Sequence, residues 1–334
     1  MTTTVPRTTQ LLRDVFVVGG AGFIGGHAVD RLLADTTTRR VTVFDNFSSG
    51  RRWHLESHAD DDRLSVVHAD VRDLDALTSR MVGHGTVIHL ASNPDIAKAM
   101  TDPTIDFVEG TLLTHNVVEA MRRADVRQIL YASGSGVYGE LGEVEAVEDR
   151  GGLEPVSTYG ASKLAGEALI AAYCHMFDLV GCAFRFGNVV GPRQTHGVGF
   201  DFVRRLLADS SQLQIMGDGT QSKSYVHVSD VLEAVFLAAA SAPTPFAVFN
   251  VATGDYVTVA EIAELAVEVL GLKVGSVTFR YAGGDRGWRG DVPIVRLNTD
   301  RIRGLGWSNA MNTREALRAS LASLVRDERA GRLA

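Results

Sequence analysis

The sequence predicts an α/β fold in which helices cover a doubly wound parallel sheet and a smaller C-terminal lobe follows. Two observations carry this prediction. Short apolar runs alternate with runs of helical periodicity through the first half of the chain, and after Gly191 this pattern changes. We therefore expect a first domain at 1–186 and a second at 187–334, with segments near 225–258 returning to the first domain.

The predicted strands are short and apolar, as expected for strands that are buried on both faces of a sheet. They lie at 15–18, 41–44, 64–70, 86–91, 128–133 and 180–185. Helices are predicted between them at 28–33, 74–82, 108–123 and 161–175. Farther along, helices are predicted at 200–208, 231–240 and 259–270, and the short strand 249–252 is expected to rejoin the sheet. The alternation of strand and helix predicts parallel pairing.

A glycine-rich turn joins the first strand to the first helix. Gly19, Gly22 and Gly25 have no Cβ, which lets a pyrophosphate approach the main chain. The free N–H groups and the positive end of the helix dipole favour an anion there. We predict a Rossmann-type dinucleotide site that includes Phe23 and Ile24 at the helix start. The alternative is a glycine turn that only packs a helix against a sheet.

The acidic residue at the end of the second strand indicates NAD rather than NADP. Asp45 lies twenty residues after Gly25, where a carboxylate can accept hydrogen bonds from ribose hydroxyls and repel a 2′-phosphate. Arg51 and Arg52 lie close by in the sequence and are interpreted as solvated surface charges. Asp70, at the end of the third strand, is expected to meet the adenine. The other predicted cofactor contacts are Asn46, Ser48, Gly50, Val71, Leu90, Ala91 and Ser92.

A tyrosine and a lysine at the start of a predicted helix form a candidate catalytic pair. Tyr159 and Lys163 are four residues apart and therefore share one face of the helix. An ammonium near a phenol favours the phenolate and lowers the pKa of the tyrosine, which makes Tyr159 a usable acid and base. The alternative is a packed tyrosine beside a solvated lysine. A dinucleotide site in the same chain favours the catalytic interpretation.

Composition excludes several other classes of function. The net charge of −7, without a long basic run, argues against nucleic acid as a partner, and no apolar run approaches the ~20 residues of a membrane span. Residues 1–10 are polar, lack the apolar core of a signal peptide and are expected to form a loose tail. Cys174 and Cys182 are too few for a disulfide framework, which fits a reducing cytoplasm, and the ten histidines show no metal-ligand spacing, so no metal is predicted.

These motifs resemble the extended short-chain dehydrogenase/reductase family, in its branch of NAD-dependent sugar-nucleotide epimerases and dehydratases related to UDP-glucose 4-epimerase. The similarity runs from about Val15 to Trp307 and includes 45–52, 89–92 and 185–193. It implies that Tyr159 exchanges a proton with a sugar hydroxyl and that Lys163 holds the nicotinamide ribose. It also implies a homodimer formed through helices near 108–123 and 161–175. The substrate contacts that it implies are Asn188, Arg193, Lys223 and Arg289.

The chain departs from this family at a position close to the proposed chemistry. Relatives carry Ser or Thr where this sequence has Gly134, so we expect Ser135, or less favourably Ser133, to donate the missing hydrogen bond, with a water as the alternative. The family's Asn in the long helix falls on Gly110. Related dehydratases and decarboxylases carry carboxylates where this chain has Ser135 and Gly136, which argues against both reactions.

The sequence therefore predicts an NAD-dependent nucleotide-sugar 4-epimerase that acts on a UDP-sugar or another NDP-sugar through a transient 4-keto intermediate. One alternative is an NDP-sugar reductase or dehydrogenase with net redox turnover. The other is a non-catalytic protein that binds NAD or a sugar nucleotide, an interpretation that Gly134 supports and that the intact Tyr159 and Lys163 oppose.

Overall fold

The computed structural model describes residues 12–241, 245–273 and 275–332, so the predicted tail at 1–10 lies outside the described residues. The chain divides into two compact units. In the described residues, the first unit comprises 12–137, 158–185, 232–241 and 245–249, and the second comprises 138–157, 186–231, 250–273 and 275–332.

The first unit is built on a seven-stranded sheet. Its strands are β1 (Asp14–Val18), β2 (Arg40–Asp45), β3 (Leu64–His68), β4 (Thr86–His89), β5 (Gln128–Gly134), β6 (Val180–Phe186) and β11 (Phe246–Val251). The strand order is β11-β6-β5-β4-β1-β2-β3. β1 pairs in parallel with both β2 and β4, so the chain winds outward in two directions from the middle of the sheet. This arrangement confirms the predicted doubly wound fold, and β11 joins the sheet as expected.

Helices pack against this sheet and bury its apolar strands. They are α1 (Phe23–Ala34), α2 (Leu74–Met81), α3 (Leu113–Ala124), α4 (Thr158–Phe177) and α6 (Val228–Ser241). The side chains of Val15, Phe16, Val17 and Val18 in β1 are fully buried, as are Val117 and Met121 of α3. Complete burial on both faces explains why the central strands are continuous apolar runs.

The helix predicted at 108–123 is interrupted. Phe107–Leu112 forms a π-helix, and regular α-helix begins only at Leu113. The π-helix carries the buried Gly110, where a Cβ would lie 2.6 Å from the hydroxyl oxygen of Ser162 in α4. A larger residue at 110 would have to displace α4, so glycine is required by this close approach.

The second unit contains three short strand pairs and four helices in its described residues. β7 (Asn188–Val190) pairs with β10 (Tyr225–His227), β9 (Ser222–Lys223) with β12 (Val257–Thr258), and β8 (Gln212–Ile215) with β13 (Thr278–Tyr281). The helices are α5 (Val198–Ala208), α7 (Val259–Val269), α8 (Asp300–Gly304) and α9 (Thr313–Arg329). None of the helices in the part of the chain that the structure describes is long and apolar enough to cross a membrane.

Candidate active site

The glycine turn after β1 has the geometry of a main-chain anion cradle. Gly19 has a φ of +80°, and a Cβ there would lie 2.6 Å from the backbone nitrogen of Ala91, so only glycine fits. α1 begins at Phe23 with Gly22 as its N-cap and without a side-chain cap. The N–H groups of the first turn of α1, which includes Ile24 and Gly25, are therefore available to an anion.

Asp45 connects the end of β2 to this turn. Its Oδ2 accepts a hydrogen bond from Ala21 N at 2.9 Å, and its Oδ1 accepts one from Phe47 N at 2.8 Å. Gly50 packs directly against the carboxylate. Burial raises the pKa of Asp45, and the two N–H groups oppose that change by stabilising the charged form. The carboxylate thus shapes the turn in addition to its predicted role toward the ribose.

Asp70 lies beyond the end of β3 and is held by its neighbours. Arg72 contacts both carboxylate oxygens, at 2.9 and 2.6 Å, and Asn46 Nδ2 donates to Oδ2 at 3.1 Å. The Arg72 guanidinium holds the pKa of Asp70 well below its usual range. Ser48 N donates in turn to Asn46 Oδ1 at 3.0 Å. The structure therefore brings the predicted residues Asn46, Ser48 and Asp70 together and adds Arg72 to them.

Three other predicted cofactor contacts line the strand ends. The backbone nitrogens of Leu90 and Ala91 donate to Val18 O at 2.9 and 3.1 Å, which fixes the chain after β4 beside the glycine turn. Val71 is buried, and its carbonyl accepts a hydrogen bond from Asn116 Nδ2 at 3.0 Å.

Tyr159 and Lys163 lie together at the start of α4. The Lys163 ammonium is 5.5 Å from the centroid of the Tyr159 ring and 5.2 Å from that of Tyr131. It donates a hydrogen bond of 2.8 Å to Ala132 O in β5. Lys163 is buried, whereas Tyr159 is half-buried. The shared helix face that the sequence predicts is thus present.

The electrostatic expectation for this pair needs correction. Burial raises the pKa of Tyr159 to about 12; a polar contact with Ser92 lowers it and the charge of Asp106 raises it. Burial lowers the pKa of Lys163 to about 8, against the effects of Asp106 and Glu167. The predicted lowering of the Tyr159 pKa by Lys163 is therefore wrong for this structure, because burial is the largest influence on that pKa and Lys163 is not among its causes.

The serines on either side of Gly134 have different surroundings. Ser133 Oγ is buried and donates to Glu167 Oε1 at 2.5 Å. Ser135 begins a short 3₁₀ helix after β5, is half-buried, and has no hydrogen-bond partner for its hydroxyl among the described residues. A Cβ on Gly134 would have no atom within 4 Å. The structure thus leaves the Ser135 hydroxyl available and engages that of Ser133.

Two buried carboxylates that the sequence analysis missed surround the pair. Glu167 forms an ion pair with Arg185, with Nη2 and Oε2 2.7 Å apart, and both side chains are buried. Asp106 is 1% exposed and accepts hydrogen bonds from Asn93 Nδ2 at 2.9 Å and Thr158 Oγ1 at 2.7 Å. The position of Glu167, four residues after Lys163, was a usable signal, because residues at this spacing share a helix face.

The predicted substrate residues lie in the second unit. Asn188 of β7 pairs with Tyr225 of β10, and its Nδ2 donates to Ser224 O at 3.3 Å. Lys223 Nζ lies 2.5 Å from Asp291 Oδ1, so its charge is already paired. The remaining two predicted residues are Arg193, with a φ of +63°, and the exposed Arg289.

The comparison with family models decides the classification. The model of the NAD dependent epimerase/dehydratase family matches residues 15–252, which include the glycine turn, Asp45, Tyr159 and Lys163. The chain belongs to this family. Membership in the NAD dependent epimerase/dehydratase family confirms the predicted resemblance, the predicted enzyme class and NAD as the cofactor. The glycine cradle and the Asp45 carboxylate of this structure fit that dinucleotide.

Similar proteins cover most of the chain. The UDP-glucose 4-epimerase of Mycolicibacterium smegmatis is 37% identical over 245 residues, which are 71% of this chain and 76% of that protein. That of Corynebacterium glutamicum is 28% identical over 309 residues, 88% of this chain and 90% of that protein. The structure of the Thermus thermophilus UDP-glucose 4-epimerase in complex with NAD has a TM-score of 0.82 at 30% identity, covering 93% of this chain and 98% of that chain. These similarities bear out the prediction of a nucleotide-sugar epimerase.

Proposed function

We propose that the chain is an NAD-dependent 4-epimerase of a UDP-sugar in which Tyr159 transfers the proton. The observation that carries this proposal is the position of Tyr159 and Lys163 on one face of α4, in the same unit as the glycine cradle and Asp45. We assign cofactor binding to the first unit and nucleotide-sugar contacts to the second, through Asn188, Arg193, Lys223 and Arg289.

In the proposed reaction, Tyr159 removes the proton from the C4 hydroxyl and later returns it to the opposite epimer. NAD⁺, which the glycine turn and Asp45 would hold, would supply the hydride acceptor for C4, and its positive charge would favour the Tyr159 phenolate. Lys163 adds a second positive charge near the phenol ring, as long as it remains protonated. Because the sugar carbon is oxidised and then reduced again, the cycle has no net redox change.

Ser135 is the proposed donor to the reacting oxygen. Its half-buried hydroxyl has no partner among the described residues, whereas that of Ser133 donates to Glu167. A positioned donor of this kind is worth ~10²–10³ in rate. The absence of a carboxylate side chain at Ser135 and Gly136 supports epimerisation over loss of water.

Binding of the substrate diphosphate would involve a competition at Lys223. Its ammonium is paired with Asp291, and both side chains are mostly buried. We infer that the diphosphate replaces Asp291 as the partner of Lys223, since an ammonium can serve as a point charge for either anion.

The assembly and location of the enzyme are further parts of the proposal. We infer a homodimer formed through the helices near 108–123 and 161–175, because the apolar side chains of Phe107 and Met176 beside them are 61% and 70% exposed. We propose a cytoplasmic location, which the free, buried thiols of Cys174 and Cys182 support; burial raises the pKa of each to about 12.

Product analysis tests the function directly. The purified protein is incubated with UDP-, dTDP-, GDP- and CDP-sugars without added cofactor, and the products are separated while NADH absorbance is followed. We expect the C4 epimer of a UDP-sugar and no net change in NADH. Consumption of added NAD or NADH in proportion to product would instead identify a dehydrogenase or reductase. NAD binding without any turnover would identify a binding protein.

A further inference from the structure

Asp106 connects the two chain segments that carry the proposed proton-transfer group and its polar contact. Thr158, whose hydroxyl donates to Asp106 Oδ2, directly precedes Tyr159 at the start of α4. Asn93, whose amide donates to Oδ1, directly follows Ser92 in the loop after β4. The buried carboxylate of Asp106 thus accepts hydrogen bonds from the residue before Tyr159 and from the residue after Ser92. Tyr159 and Ser92 are themselves in polar contact.

Position 110 lies close to the start of α4 but offers no side chain to it. In this chain, Gly110 stands where the resembling family has an Asn, and the hydroxyl of Ser162 occupies the space that a side chain at 110 would fill. Ser162 Oγ itself donates to Tyr159 O at 2.8 Å, within α4. Position 110 therefore supplies no side chain to hold the start of α4, and the π-helix that contains it begins directly after Asp106.

We propose that Asp106 is a positioning residue that fixes the start of α4 against the loop after β4 and thereby aligns the Tyr159 hydroxyl; the inference rests on the proposed role of Tyr159. Both oxygens of the carboxylate are used, and the side chain is 1% exposed. Burial of a carboxylate carries a desolvation cost, which the hydrogen bonds from Asn93 and Thr158 offset in part.

The charge of Asp106 also acts on Tyr159, the residue whose hydroxyl Asp106 is proposed to align. It raises the pKa of both Tyr159 and Lys163. The other titratable groups around the pair are His89 of β4, Tyr131 of β5 and Glu167 of α4. Burial lowers the pKa of His89 to about 3, so this histidine is neutral, and burial keeps Tyr131 protonated by raising its pKa. Asp106 and Glu167 are the acidic side chains that raise the pKa of Lys163.

Three variants distinguish the positioning role of Asp106 from the effect of its charge. Asp106→Asn keeps the size of the side chain, with an oxygen for Asn93 and an amide group toward Thr158, and removes the charge. Asp106→Ala removes both contacts, and Thr158→Val removes one contact but leaves the charge. For each variant we measure kcat and KM across pH, NAD affinity and Tm, beside wild type and Tyr159→Phe.

We expect kcat of Asp106→Ala to fall at least about tenfold with a smaller change in KM, since misplacement of a reacting group by ~1 Å can cost 10²-fold. We expect kcat of Thr158→Val to fall as well. Asp106→Asn restores most of kcat, and both limbs of its pH profile move to lower pH by about half a unit or more, because loss of an anion favours deprotonation of Tyr159 and Lys163. A uniform loss of stability would not move the profile.

Two outcomes would overturn the inference: wild-type kcat in Asp106→Ala, or a pH profile of Asp106→Asn that coincides with that of wild type. If Asp106→Ala does not fold, wild-type kcat in Thr158→Val has the same meaning. Tyr159→Phe separates this failure from a failure of the proposed function. An active Tyr159→Phe contradicts the function itself, whereas an inactive Tyr159→Phe beside a fully active Asp106→Ala contradicts only the role of Asp106.

Discussion

The Tyr159 hydroxyl is the group whose removal most directly tests the chemistry. Tyr159→Phe keeps the ring and its packing and is expected to lower kcat by ~10²–10⁴, the usual contribution of a positioned acid or base, with unchanged NAD affinity. Tyr173→Phe is a matched control on the same helix, because its hydroxyl donates to Glu119 instead. Product formation at a near-normal rate by Tyr159→Phe would contradict the mechanism.

Gly134 and Ser135 allow a rescue experiment. Ser135→Ala should slow turnover at least tenfold with little change in NAD affinity, since it removes the proposed donor. Because a Cβ at 134 meets no atom within 4 Å, there is space for the β-carbon of Gly134→Ser, which should restore part of the rate in a Ser135→Ala background. Steady-state kinetics of the two single variants and the double variant check this. Full activity of Ser135→Ala would contradict Ser135 as the donor, and full activity of Ser133→Ala as well would favour a water.

Asp45 should determine the preference between the two dinucleotides. Asp45→Asn keeps an oxygen that can accept one of the two backbone N–H groups, but removes the charge that repels a 2′-phosphate. We expect the ratio of NADP to NAD dissociation constants to fall about tenfold, the effect of roughly 1.4 kcal/mol. Calorimetric titration with both cofactors measures it. Asp75→Asn, on a 97% exposed side chain, is the control. An unchanged ratio would show that Asp45 only shapes the turn.

Single residues were predictable where local geometry determines their role. The glycine turn, Asp45 and the Tyr159–Lys163 spacing depend on contacts within one turn or one strand-turn-helix unit, which sequence separation expresses directly. The sequence favoured Ser135 over Ser133, but the hydrogen bond that engages the Ser133 hydroxyl was not accessible in this way. It depends on Glu167, which lies 34 residues from Ser133 in the chain.

At the scale of elements, the buried ion pair joins α4 to β6. Arg185→Met leaves Glu167 as an unpaired buried carboxylate and should cost about 3–5 kcal/mol in free energy of unfolding. The double variant Glu167→Met/Arg185→Met removes both charges and should lose less than the single variant. Urea denaturation of both proteins measures the difference. A cost below about 1 kcal/mol for Arg185→Met would mean that water or another group compensates the carboxylate.

Most elements of the sheet unit could be predicted because they are long apolar or periodic runs. The four-residue strands β8 and β13 were missed. Over only four residues, an alternation of apolar and polar side chains cannot be distinguished from the sequence of a loop. The helix α9 was missed although its start carries a signal. Asn312 and Glu315 form a capping box, in which each side chain bonds to the other's backbone N–H.

At the scale of the whole molecule, the proposed dimer makes a prediction about exposed apolar side chains. Replacing Phe107 and Met176 by Glu places charges on the helices of the proposed interface and should convert a dimer into a monomer in sedimentation velocity. Met216→Glu, on a 52% exposed methionine of the second unit, should leave the assembly unchanged. A wild-type protein that sediments as a monomer would contradict the proposal.

The parallel, doubly wound character of the sheet could be predicted from the alternation of strands and helices, whereas the strand order was not predicted. The composition of the two units is a different matter. Residues 138–157 group with the second unit, and 232–241 and 245–249 with the first, so each unit is assembled from segments far apart in the chain. The return of segments near 225–258 to the first domain was expected from the sequence, whereas the grouping of 138–157 with the second unit was not, because it arises from long-range packing.

The spacing of side chains on α4 restricts insertions and deletions within this helix. Tyr159, Lys163 and Glu167 follow one another at intervals of four residues on one helix face. A single inserted or deleted codon between them would rotate everything beyond it by about 100° around the helix axis. Lys163 would turn away from the phenol, or Glu167 would turn from Arg185 toward solvent. In this segment, substitutions can accumulate gradually, whereas insertions and deletions should be almost absent among functional descendants.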